Sequence, residues 1–228
     1  MAIDAVIFDW GGTLTPWHTI DHVALWQTVC LPHYPGDHER WATAAHAAEM
    51  QAWDLVRSHH RSSTIFEVLA TAGIDPTDGL LASYRQAWEP HTFTDPAAAE
   101  LLGFLRAKNI KTGLLSNTLW PRAWHDDVFR RDGVLDLIDG AVYSSEISWA
   151  KPHREAFVSA MKAVGVTDPA RCVFVGDRPW DDIHGAKSLG MRAVLVPHSA
   201  VPPFEEATPD AVISDLSELP ELIESWWG

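Results

Sequence analysis

Ala5-Val6-Ile7-Phe8-Asp9-Trp10-Gly11-Gly12-Thr13-Leu14-Thr15 decides the fold. Four consecutive apolar residues ending on a carboxylate and a glycine pair suit a short strand buried on both faces, because a strand with one wet face would alternate. Such a strand lies inside a parallel sheet. Asp9 then stands at its carboxyl edge, where open α/β sheets bind ligands, and Gly11-Gly12 lets the backbone bend close to one. Read alone, Asp9 is equally a turn cap, since Asp and Gly are ordinary turn residues.

Beyond Thr15 the pattern turns helical. Trp41, Ala45, Ala48, Ala52, Leu55 and Val56 recur near a helical period within 37–60, as do the apolar residues of 65–72 and 80–88. Pro76 after Asp75 marks a helix start. With no strand pattern among them, residues 17–92 are expected to form a separate helical cap domain, inserted after the first strand and lying over its carboxyl edge. Thr94-Asp95-Pro96 then offers a cap with Pro at the first helical position, and 97–108 continues as an amphipathic helix.

Strand patterns resume at 111–117, 141–145, 171–175, 192–196 and 210–213, separated by helices near 121–131, 153–164 and 181–189, with a terminal one near 216–226. Strands alternating with helices predict right-handed crossovers and an α/β doubly wound parallel sheet. The core domain is accordingly 1–16 and 93–228. Pro202-Pro203 and the acidic pair after it read as a solvated loop. Trp226-Trp227 pack on the sheet or on a partner subunit.

The 228 residues suffice for a substantial core. With 17 Lys and Arg against 31 Asp and Glu, the formal charge of −14 disfavours nucleic acid or an anionic membrane as partner. No terminal segment has a signal-peptide pattern and no apolar run approaches the ~20 residues of a membrane span, which reads as a soluble cytoplasmic protein. Cys30 and Cys172 stand alone and read as reduced, structural thiols. Of the 12 histidines, 8 fall between His18 and His91.

Three strands end in polar groups of complementary kinds: Asp9, then Ser116-Asn117, then Gly176-Asp177 with Asp181 and Asp182 just beyond. Lys151 precedes Pro152 before a helix. If these strands are neighbours, one site gathers a carboxylate, a hydroxyl, a lysine and an acidic cluster, which suits a hard divalent cation such as Mg²⁺ and a phosphate.

The chain here resembles the haloacid dehalogenase superfamily of phosphotransferases and hydrolases with an inserted helical cap. Asp9-Trp10-Gly11-Gly12-Thr13 matches the first motif, Ser116 the second, Lys151 the third, and Gly176-Asp177 through Asp182 the fourth. The resemblance implies Asp9 as a nucleophile that forms an aspartyl-phosphate. It implies Ser116 as a hydrogen-bond donor to the phosphoryl group and Lys151 as its neutralising cation. Mg²⁺ would be held by Asp9, Asp177 and the Gly11 carbonyl, with Asp181 and Asp182 in or behind its coordination shell. Trp10, Gly12, Thr13, Asn117 and His18 complete the expected contacts to a small phosphorylated substrate.

The departure is Gly11. Family phosphatases carry a second Asp there as general acid and base, worth ~10²–10⁴-fold, so poor leaving groups should react slowly. Phosphonoacetaldehyde hydrolases share the Asp-Trp-x-Gly-Thr pattern but use a cap lysine, and 17–92 contains none. A 2-haloacid dehalogenase is the second enzymatic reading, with Arg40, Arg57 or Arg61 for a carboxylate substrate; a weakened phosphoryl-ligand binding protein is the non-enzymatic one. His18 and His22 are candidates for the missing acid. Trp10, Trp17, Trp120 and Trp180 border the motif loops and either line a pocket or fill the core.

Overall fold

The computed structural model describes residues 2–197 and 208–226. Pro202-Pro203, the acidic pair after it and Trp227 lie outside them.

Strand β1 (Ala5–Phe8) is buried along its whole length. It pairs in parallel with β2 (Lys111–Ser116) on one side and β4 (Cys172–Gly176) on the other, with Phe8 opposite Leu114 and Val175. β3 (Gly140–Tyr143) lies beyond β2, and β5 (Arg192–Leu195) and β6 (Ala211–Val212) lie beyond β4, giving the order β3-β2-β1-β4-β5-β6. The winding direction reverses at β1, so the carboxyl ends of β2, β1 and β4 meet at a switch point, where such sheets bind ligands.

Helices cover both faces. Val6 and Phe8 pack with Leu101, Leu102 and Leu105 of α5 (Ala98–Ala107) and Leu219 and Ile223 of α9 (Leu219–Trp226). Ala5 and Ile7 face Phe157, Ala160 and Met161 of α7 (Arg154–Ala163) and Ala186 of α8 (Gly185–Leu189). This two-sided burial is the physical reason that β1 reads as an unbroken apolar run. Trp226 packs against the first of these layers, with the Arg192 guanidinium 5.1 Å from its ring centroid.

Between β1 and α5 the chain forms α1 (His22–Cys30), α2 (His38–His59), α3 (Ile65–Ala72) and α4 (Asp78–Trp88). Thr64 and Glu67 form a reciprocal capping box on α3, and Thr77 rather than Pro76 opens α4 by accepting from the Leu80 amide. Trp26, Ala45, Leu69 and Tyr84 of these helices share one apolar cluster with Trp120 and with Trp124 of α6 (Arg122–Arg131), both of which follow β2. Glu49 lies 2% exposed within it, accepting from Trp26 Nε1 at 2.8 Å. Helix α5 starts two residues later than Pro96 predicts. The Asp95 carboxylate accepts from Ala97 N at 2.8 Å, while Thr94 spends its amide and hydroxyl on Asp132. No helix of the described residues is long and apolar enough to cross a membrane.

Candidate active site

Asp9 follows β1 directly, and its amide donates to Val175 O at 2.9 Å, which keeps it in register with β4. The chain then turns back tightly: Gly12 N donates to Thr15 O at 2.7 Å and Thr15 N to Trp10 O at 2.8 Å. Gly12 adopts φ +88°, and a Cβ there would lie 2.6 Å from Asp177 Oδ2. Only glycine lets the first loop approach that carboxylate. Gly176 plays the same part for Asp182, whose carboxyl group fills the place a side chain would take. A Cβ on Gly11, by contrast, would meet nothing within 4 Å.

Lys151 is embedded among these acids. Lys151 is 1% exposed, and its Nζ lies 2.8 Å from Asp9 Oδ1 and 2.6 Å from Asp182 Oδ1. Asn117, at the end of β2, holds the lysine's backbone: its Nδ2 donates to Lys151 O at 3.0 Å and its Oδ1 accepts from Lys151 N at 2.8 Å. Asp182 Oδ2 accepts from Arg178 N at 2.9 Å, so both of its oxygens are engaged.

Asp9, Asp177 and Asp182 bring carboxylate oxygens within 4.8 Å of one another. Burial, then the charges of Asp182 and Asp9, pushes Asp177 up to about 8. Burial opposes the Lys151 ammonium, but Asp182 and Asp9 outweigh it and hold the group above its ordinary range. Asp9, Asp177, Asp181 and Asp182 outnumber the cations that face them, Lys151 and Arg178, and a divalent ion would offset the excess charge as all four carboxyls ionise. Mg²⁺ fits this donor set, a carboxylate cage that strains to hold its own charge.

Of the other expected residues, Ser116 is buried at the end of β2, opposite Tyr143, and Thr13 is buried with its hydroxyl unpartnered. Asp181 stays outside the three-carboxylate group, although burial raises its carboxyl too. Trp10 packs on Trp120 at 5.4 Å and edge-on to His125 at 4.4 Å. Trp120 is 6% exposed in the helical cluster, so it fills core, whereas Trp17 and Trp180 are 40% and 39% exposed. Of the two histidines, His18 lies edge-on to His91 at 5.3 Å and His22 Nδ1 is 3.4 Å from Glu49.

Two further residues border the site that were not among the expected ones. Arg178 follows Asp177, lies over the Trp17 ring at 5.7 Å, and is held protonated by four surrounding carboxylates against the cost of burial. A basic residue inside the acidic fourth motif was its only sequence signal. His125 is fully buried, stacked on Tyr143 at 4.2 Å and 3.1 Å from Thr118 Oγ1 through Nε2. Burial, then Arg122, pushes its imidazole down to about 3. Because the folded value lies below the unfolded one, the stability this residue contributes is complete above pH ~6.5 and is lost as pH falls toward 3. Between pH 7 and pH 5 the chain should lose about 2 kcal/mol relative to His125→Gln, from ~1.4 kcal/mol per unit over the interval below 6.5. Urea unfolding of both proteins at the two pH values checks this; parallel losses would contradict it.

The haloacid dehalogenase-like hydrolase family model matches residues 3–190. A glyceraldehyde 3-phosphate phosphatase of Methanothermobacter thermautotrophicus is 31% identical over 137 residues, 56% of this chain and 58% of that protein. The chain thus spans little more than half the length of the curated relatives it matches. The crystal structure of a HAD phosphatase from Thermococcus onnurineus superposes with a TM-score of 0.71 at 24% identity, covering 97% of this chain and 98% of that one. A 2-haloacid dehalogenase from Pseudomonas syringae pv. Tomato DC3000 gives 0.69 at 25% identity, covering 98% and 99%. A family match over four-fifths of the chain, on a sheet whose switch point carries the acid and lysine cluster, places this protein in the haloacid dehalogenase-like hydrolase family.

Proposed function

We propose that this chain is a Mg²⁺-dependent hydrolase of small phosphorylated metabolites that acts through Asp9, with residues 17–92 serving as the cap that closes over the site. The observation that supports it most is the Asp9 carboxylate at the carboxyl end of the central strand, with its Oδ1 2.8 Å from Lys151 Nζ. We assign the nucleophile to its other oxygen. That oxygen attacks phosphorus, the bond from phosphorus to the leaving oxygen breaks, and an aspartyl-phosphate forms. Water then splits it, returning Asp9 and inorganic phosphate. Lys151 balances charge on the phosphoryl oxygens and holds Asp9 in line; Ser116 donates to the same group. Gly12, Thr13 and Trp10 border it, and Asn117 acts through the lysine it grips. Mg²⁺, held by Asp9, Asp177 and the Gly11 carbonyl, would neutralise phosphate oxygens when bound. Asp182, with both oxygens engaged, orients Lys151 rather than offering a free ligand, and Asp181 adds charge from outside.

No side chain at position 11 can protonate the leaving oxygen, so leaving-group quality governs the rate. A Cβ at Gly11 would meet nothing within 4 Å, so Gly11→Asp is the substitution that restores an acid there. It should raise kcat on alkyl phosphates by about 10²-fold, the low end for a positioned acid, and aryl or acyl phosphates much less. Rates across a series of leaving groups check this; the same dependence in both proteins would refute the missing acid. The dehalogenase likeness, at 25% identity, favours attack of Asp9 on carbon as the second reading. Halide release from 2-haloacids, run beside phosphate release with and without Mg²⁺, decides between them.

A further inference from the structure

The inserted helices reach the lysine loop through main-chain hydrogen bonds as well as through packing. Helix α2 is capped by His60, which takes the left-handed conformation at φ 52°, a turn that glycine makes with less strain. Its carbonyl accepts from Ala150 N at 3.0 Å, one residue before Lys151, and Ser62 N approaches Ser148 O at 3.5 Å. Arg61 and Trp149 are therefore opposed in an antiparallel bridge. The Arg61 guanidinium lies 5.4 Å from the Trp149 ring centroid, and Trp149 stacks on His153 at 4.0 Å. Asn117 grips the peptide of Lys151 from the sheet side.

A lysine side chain is long and flexible, yet this one must place a single nitrogen within 2.8 Å of Asp9 and 2.6 Å of Asp182. Such placement needs the backbone fixed on both sides of the residue. Asn117 supplies one hold, and the bridge to residues 60–62 supplies the other.

We propose that residues 60–62 are a positioning element for Lys151: docking of this loop on 148–150 sets the lysine between Asp9 and Asp182, so the cationic half of the site is assembled only with the inserted helices in place. The inference rests on the reading of Lys151 as the phosphoryl-neutralising cation. Arg61 and Trp149 form the non-hydrogen-bonded type of pair, which brings Cα atoms to about 4.5 Å, within disulfide range.

The test is Arg61→Cys/Trp149→Cys, compared in reduced and oxidised form with the unmutated chain. Lys151 acylation by an amine reagent, read by peptide mass, reports the position of the lysine without reference to activity. Hydrolysis of p-nitrophenyl phosphate with Mg²⁺ reports its consequence. The reduced double variant lacks both the Arg61–Trp149 contact and a covalent hold on the loop, so Lys151 labelling should rise about tenfold and kcat fall about tenfold, more than KM rises, since ångström displacements of a catalytic group cost this much or more. Oxidation should restore both. Arg61→Lys, which keeps a cation over the ring, should stay near the unmutated rate, and Arg61→Ala carries the labelling expectation if the double variant does not fold. Equal labelling in reduced, oxidised and unmutated proteins overturns the proposal, as does an oxidised form that is inactive beside a fully active reduced one. If the unmutated chain releases no phosphate in an Asp9-dependent way, the functional reading fails, and labelling alone still decides this one.

Discussion

Asp9→Asn is expected to lower phosphate release at least ~10⁴-fold, the scale seen when a covalent nucleophile is removed. The amide is nearly isosteric, so the loop geometry stays, but its oxygen cannot bond to phosphorus and leave again as a carboxylate. Stability should not fall with activity. Lys151 keeps its contact with Asp182, and Asp177 loses one of the negative charges that push its carboxyl up. Thermal unfolding unchanged or raised, together with lost turnover measured with and without Mg²⁺, separates a chemical role from a structural one. A variant that retains turnover would remove Asp9 from the mechanism.

The second large effect is on folding. Lys151→Met removes the one ammonium that contacts both Asp9 and Asp182, and neither acid can move to water from 5% and 0% exposure. Breaking a buried pair leaves charge uncompensated and costs about 3–5 kcal/mol. The deficit should shrink as pH is lowered from 7 to 5, because the stranded carboxyls, already raised by burial in the case of Asp182, take up protons more readily without the lysine. Urea unfolding at the two pH values measures this. A deficit under 1 kcal/mol, or one independent of pH, would mean that the site tolerates its acids unpaired.

Much of this was legible in the chain. The unbroken run from Ala5 to Phe8 gave a strand covered on both faces, and Asp9, Ser116 and Asp177 fell at or just past strand ends because helices return the chain to the same sheet edge. Local patterns carry less about which side chain of an adjacent pair turns inward. Asp181 and Asp182 are equivalent by spacing, yet a wide turn at Pro179–His184 brings Asp182 beneath Gly176. The start of α5 shifted for a similar reason: Thr94 found a better partner in Asp132, 38 residues away, than in its own helix. The neighbours of His18 and His22, which are His91 and Glu49, are distant in sequence, so no local pattern shows them. His125 gave no signal at all, since a histidine's burial depends on the rings that gather round it.

Direct capture of phosphate on residue 9 tests the central claim. The protein is mixed with a phosphorylated substrate and Mg²⁺, quenched in turnover and reduced with borohydride, which converts an aspartyl-phosphate to homoserine. Peptides are then read by mass. Conversion at Asp9, dependent on substrate and absent elsewhere, is the expected result, and it should accumulate most with good leaving groups because Gly11 leaves no base to speed the second step. Steady phosphate release with residue 9 unmodified at every quench time would contradict the account.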